Sequence, residues 1–121
     1  MFRLFVLVIG IVLLASGIMG SMPVFLTDGD LFGIFEVDKM LNFLHIISGA
    51  IGIVAALNGF LSRLYFQFFG VIYAIVTILG FVRAGDLYIM HVNLADNIFH
   101  LAIAVIALYA GFLLGGERGR M

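Results

Sequence analysis

Apolar residues run through this chain in four long blocks, at 4–22, 41–61, 64–82 and 94–114, and polar residues gather in the short stretches between them. Each block is close to the ~20 residues that a helix needs to cross a hydrocarbon layer, and none keeps the alternation of a half-buried strand. The pattern predicts four spanning helices. The polar punctuation is also written twice. Val37-Asp38-Lys39-Met40-Leu41-Asn42-Phe43-Leu44-His45 returns as Val92-Asn93-Leu94-Ala95-Asp96-Asn97-Ile98-Phe99-His100, every position displaced by 55 residues (100 − 45). In both copies a helix-capping residue, Asp38 or Asn93, follows a Val, and an Asn-x-x-His quartet then leads into an apolar run.

Residues three and four apart share a helix face, which groups Asp38, Asn42 and His45 in one copy and Asn93, Asn97 and His100 in the other. Continued down the helix, the same stripe holds Gly49, Gly52 and Ala56 in the first copy and Ala104, Ala107 and Gly111 in the second. The other helix of each pair repeats too. Arg3-Leu4-Phe5 aligns with Arg63-Leu64-Tyr65 at an offset of 60 (63 − 3), which brings Gly10 and Gly20 onto Gly70 and Gly80. The expected fold is therefore an all-α integral membrane four-helix bundle, built from two tandem helix-hairpin repeats at 3–61 and 63–114 within one domain, 1–121. Each copy crosses an even number of times, so the copies insert the same way up, related by a pseudo-twofold axis along the membrane normal. That puts His45 and His100 at one depth. The alignment also argues that 4–22 is retained and not cleaved as a signal peptide, despite the small residues Ala15-Ser16-Gly17.

The longest connection, about 24–37, carries a turn signal at Thr27-Asp28-Gly29-Asp30 and reads as a solvated acidic loop, with 31–35 lying at the interface. Asp28, Asp30, Glu36 and Asp38 do not have the spacing of a calcium loop, and no metal site is expected. Ser62-Arg63 reads as the tight link between the second and third blocks. Asp86 and His91 fall in an outer link and are expected to be solvated, and 115–120 reads as a frayed polar tail.

Composition changes the picture in one respect: it removes water as the solvent. With 64% hydrophobic and 11% charged residues in 121, too little polar sequence remains to cover the outside. Lys and Arg near span ends are held on the cytoplasmic side. Arg3, Arg63, Arg118 and Arg120 fall on one side, whereas Lys39 and Arg83 share the other with most of the acids. A multi-pass inner (plasma) membrane protein with both termini cytoplasmic is expected. A net charge of −1 with six scattered basic residues offers no footprint for nucleic acid. The absence of Cys excludes a disulfide framework, a thiolate metal site and a cysteine nucleophile.

Two readings of His45 and His100 stand side by side. They are paired ligands of a haem or pigment metal, or line a quinone site, because imidazole is a common ligand and the symmetry sets the rings opposite each other. Alternatively they are interior polar groups that fix helix register, with Asn42 and Asn97 as hydrogen-bonding companions, and the Asn one turn before each His favours this second reading. Asp96 breaks the symmetry, its counterpart being Leu41. Four residues before His100, it is either a relay acid or a helix-start acid that complements the dipole, and its boundary depth favours the latter. Close packing at the small residues Gly49, Gly52, Ala56, Ala104, Ala107, Gly111, Gly10 and Gly70 is expected to bring backbones together. No catalytic motif or interrupted intramembrane helix is present, so neither an enzyme nor a transporter is expected.

Arg3-Leu4 with Gly10, the run Leu31-Phe32-Gly33-Ile34-Phe35-Glu36-Val37-Asp38, Asn42-Phe43-Leu44-His45-Ile46-Ile47-Ser48-Gly49 and Asp96-Asn97-Ile98-Phe99-His100-Leu101 together resemble a family of small four-helix bacterial membrane proteins described only as a domain of unknown function. The resemblance covers most of the chain, and the paired N-x-x-H helix starts are its most specific part. Relatives often carry Pro and Asn before the second helix, where this chain has Glu36 and Asp38. The resemblance implies fold and membrane location and brings no activity, cofactor or partner. The expected role is a non-enzymatic structural or accessory subunit, docking on other membrane helices in a larger complex or a homo-oligomer; a haem-, pigment- or quinone-binding protein is the alternative.

Overall fold

A computed structural model describes residues 2–114. The described residues form four α-helices: α1 (Phe2–Gly20), α2 (Lys39–Ala55), α3 (Gly59–Val82) and α4 (Leu94–Leu108), the last continued by a π-helical turn, Tyr109–Leu114. Arg118, Arg120 and the polar tail lie outside the described residues. Three of the helical stretches, Arg3–Gly20, Gly59–Val82 and Leu94–Leu113, are long and apolar enough to cross a membrane. The remaining helix, α2, has 17 residues, or roughly 25 Å at the usual rise.

That shortness corrects the expected 41–61 span. Asn58 caps α3, its side-chain oxygen accepting from the Leu61 amide at 2.8 Å, so α3 starts before Ser62-Arg63 and the real link is Ala56 to Asn58. Ser62 lies inside α3, where its hydroxyl donates to the Ala55 carbonyl at 3.0 Å and stitches the two helices together. The apolar run hides this break because Leu57 and Phe60 flank the capping Asn.

The connection after α1 also departs from expectation. It stays largely exposed, but in place of a simple loop a 3-10 turn (Pro23–Phe25) leads into three short antiparallel strands, β1 (Leu26–Thr27), β2 (Asp30–Leu31) and β3 (Phe35–Glu36). Asp28 (φ 53°) and Gly29 (φ 86°) form the two-residue turn between β1 and β2. Both sit at positive φ, which is what an Asp-Gly hairpin supplies cheaply. The sheet is a lid on the bundle: Leu31 is buried, Phe35 meets the Phe99 ring edge-on at 5.9 Å, and Asn93 donates to the Ile34 carbonyl at 2.9 Å.

Helix α1 packs on α2, and α3 on α4, each pair antiparallel. A Cβ on Gly10 would lie 2.9 Å from the Gly49 carbonyl oxygen, and one on Gly17 would lie 2.7 Å from the Asn42 carbonyl oxygen, so the chain directions oppose. Likewise Gly70 lies against Ala107 and Leu108, and Gly111 against Gln67. The small-residue stripes thus work inside each pair: Gly49 and Gly52 receive α1, while Ala107 and Gly111 receive α3, with Ala104 buried beside them. Ala56 ends α2, and its carbonyl accepts from Arg3 Nε at 2.8 Å. In the turn that continues α4, the Gly111 carbonyl accepts from Gln67 Nε2 at 2.9 Å.

Candidate functional site

Two helix starts point toward the same level of the bundle. Asp38 caps α2 by accepting from the Met40 amide at 2.8 Å. Asn93 caps α4 by accepting from the Asp96 amide at 2.9 Å, and the Asp96 carboxylate accepts in return from the Asn93 amide at 3.0 Å. This reciprocal pair is a capping box, and it makes Asp96 a helix-start acid. Asp96 is buried although charged side chains rarely are, because its carboxylate takes up an amide that the helix leaves without a partner.

One turn deeper the two imidazoles meet. His45 Nε2 and His100 Nε2 are 3.0 Å apart, a hydrogen bond in which one ring donates and the other accepts. Both rings are buried, His100 completely. Tyr73 lies beside both rings, 5.4 Å from His100 and 6.5 Å from His45 between centroids, and Phe99 closes on His45 edge-on at 5.9 Å. Behind the pair, the Tyr73 hydroxyl bonds the Ser48 hydroxyl at 2.7 Å, and the Tyr65 hydroxyl donates to the Ser48 carbonyl at 2.7 Å. The result is a polar seam inside an apolar bundle.

Asn42 and Asn97 do not join that seam. The Asn42 carboxamide oxygen lies against Gly20 of α1, and the Asn97 oxygen against Gly80 of α3, each at the point where a Cβ would stand. Val37 and Val92 close the same two contacts. Three residues on a helix differ by about 60° in direction, so one Asn-x-x-His quartet serves two neighbours: Asn faces the first helix of its own pair, and His faces the opposite pair. Among the described residues, Asn97 Oδ1 and His100 Nδ1 are buried without a hydrogen-bond partner.

The two rings do not fit a haem or pigment metal held axially between them. Imidazole nitrogens bind metals at roughly 2.0 Å, so trans ligands stand roughly 4 Å apart, whereas these nitrogens are 3.0 Å apart and the ring planes differ by 67°. The haem- or pigment-ligating alternative is therefore not supported by the pair. Among the described residues, no group of three or more His, Asp and Glu side chains is placed to hold a metal ion. Asp86 and His91 are exposed in the link between α3 and α4, joined by an antiparallel bridge between their backbones.

Tyr73, Ser48 and Tyr65 escaped the sequence reading. A search for repeated polar positions passes over them, since their counterparts at the same offsets are Leu13, Ile103 and Phe5. The usable signal was Ser48, three residues after His45 on the same helix face.

An apolar cavity of about 280 Å³ borders His45. Its walls come from α1 (Val12, Ala15, Ser16, Met19), the small sheet and the first turns of α2 and α4.

A bundle of long apolar helices that keeps its few polar side chains inside is compatible with the class of membrane proteins. Residues 3–113 match the model of the family described as a domain of unknown function (DUF4383), and the chain belongs to that family. No curated protein and no solved structure matches it.

Proposed function

We propose that this chain is a multi-pass membrane protein made of a duplicated helix hairpin, and that it serves as a non-enzymatic structural or accessory subunit. The observation that carries this is the inverted distribution of side chains. Asn42, His45, Ser48, Ser62, Thr77, Asp96, Asn97 and His100 are buried, while Phe43, Val54, Phe60, Phe68, Ile78 and Leu113 are exposed. In water that arrangement would leave apolar patches far beyond those of ordinary monomers, whereas in lipid it satisfies every surface.

Duplication is supported by contacts that recur at the same offsets: Gly20 with Asn42 and Val37, Gly80 with Asn97 and Val92, Gly10 with Gly49 and Gly52, Gly70 with Ala107. In this reading α2 crosses with the others, and both ends of the chain face the cytoplasm beside Arg3 and Arg63. The lipid-facing Phe, Leu and Ile surfaces then dock on other membrane helices, in a larger complex or a homo-oligomer. The polar groups bond one another between helices, which favours a scaffold over a catalyst.

Because the native chain has no Cys, single cysteines can report its topology. Cysteines placed at Asp28 and Tyr88 should react with a membrane-impermeant maleimide on intact cells, and one at Asn58 only after permeabilisation. Labelling of positions 28 and 58 from the same side would overturn the reading. For the accessory role, cross-linking in native membranes should yield a defined adduct larger than the monomer. Monomer alone, at every cross-linker length, would count against it.

A further inference from the structure

The cavity beside His45 has a counterpart that the chain itself fills. At offsets of 60 and 55, the wall residues Val12, Ser16, Phe32, Phe35 and Val37 correspond to Ile72, Val76, Leu87, Met90 and Val92. Those second-half residues, with Leu41, form a packed apolar cluster. Where the second half has the buried Val76, the first half has Ser16, and the space stays open. An apolar cavity of ~150 Å³ already accepts a benzene ring, so about 280 Å³ has room for a substituted ring.

The polar end of this space is chemically defined. His45 uses Nε2 for His100, leaving Nδ1 as its free ring nitrogen, while His100 Nδ1 is buried with no partner. A buried N–H without a partner is rarer and costlier than an unpaired acceptor, so His100 keeps its proton on Nε2 and donates it to His45 Nε2. The His45 proton then resides on Nδ1. His45 is thereby a donor beside an apolar space with the aromatic walls Phe35, Phe99 and Phe32, and its ligand is an acceptor. Val12 and Phe32 are exposed at the rim, which opens the space toward the lipid side.

We propose that this cavity binds the ring of a lipid-soluble carbonyl compound of the quinone class, with one ring carbonyl accepting from His45 Nδ1–H. The opposite half is the same cradle with Val76 in place of Ser16, packed shut against Leu87 and Met90. The choice of closing residues rests on the duplicated-hairpin reading; the cavity and its donor do not.

The test uses the full chain in detergent micelles and a photoreactive azido-benzoquinone with a short alkyl tail. Saturable labelling should map by peptide mass spectrometry to 12–19, 31–37 or Phe99, and excess decyl-benzoquinone should suppress it. The variant Ala15→Ile/Ser16→Val, which installs the other half's side chains, should lose labelling by roughly tenfold or more, about 1.4 kcal/mol of binding, with an unchanged helical melting curve. If that variant misfolds, the map on the parent chain decides. Labelling outside the cavity walls, labelling unchanged in a folded filled variant, or equal suppression by a phospholipid with no ring would each overturn the proposal. A failed cysteine map alongside a positive labelling map would refute the topology and leave the site standing.

Discussion

Removing the imidazole pair one ring at a time and then together separates a register-fixing bond from two independent polar residues. His45→Leu takes away the Nε2 bond and leaves the fully buried His100 ring with neither nitrogen partnered. An unsatisfied buried polar group costs about 1–3 kcal/mol, so a loss of about 2 kcal/mol is expected. His100→Leu strands His45 instead, but that ring borders the cavity, and a loss of about 1 kcal/mol is expected. In the double variant neither imidazole remains to go unpaired and Leu fills a similar volume, so the loss falls to about 1 kcal/mol or less. The coupling is then about 2 kcal/mol, within the span found for residues in direct contact. Graded SDS unfolding in mixed micelles, followed by the helical circular dichroism of all four proteins, measures it. If the double variant loses the sum of the singles to within about 0.5 kcal/mol, the bond contributes nothing specific and the structural role given to the pair fails.

Two further outcomes follow from the packing and the caps. A Cβ at Gly49 would stand 2.7 Å from both the Gly10 carbonyl oxygen and Leu14 Cα; because backbone cannot swing aside, Gly49→Ala should destabilise by about 1–3 kcal/mol of overpacking, less about 1 kcal/mol regained in helix propensity. The same SDS titration should show that loss, and a Gly49→Ala protein as stable as its parent would contradict the close approach. Asn93→Ala removes the capping box and the bond to the Ile34 carbonyl, costing about 1–2 kcal/mol. Amide exchange should quicken at Asp96 and in β3 while Ile103 is unaffected; uniform quickening along α4 would mean that the cap does not act locally.

Part of the architecture was legible because one polar motif occurs twice in the sequence. The helix caps Asp38 and Asn93, and the opposition of His45 and His100, could be read from one displaced motif, since a polar residue at the same place in two apolar runs needs the same kind of partner in both. Elements without that redundancy were lost. Strands of two residues are too short to show alternation, so the sheet at 26–36 passed for a loop, even though Asp28-Gly29 signalled its turn. Asn58 was overlooked because the apolar residues around it masked a helix boundary that only its hydrogen bond to Leu61 makes visible.

The solvent this chain suits, the approximate position of its helices and their starting caps were determined by the sequence alone, since composition and local hydrogen bonding act along the chain. Which neighbour each face meets was decided only in three dimensions. The Asn of each quartet turns to a glycine in its own hairpin, the His crosses to the other hairpin, and Tyr73 and Ser48 join from positions no repeat announces. Helix spacing specifies direction around an axis, and the placement of a second axis in that direction depends on how small residues let the helices close. The open space beside His45 and the packed cluster around Val76, Leu87 and Met90 arise in the same way, from side-chain volumes that only the packed bundle brings into comparison.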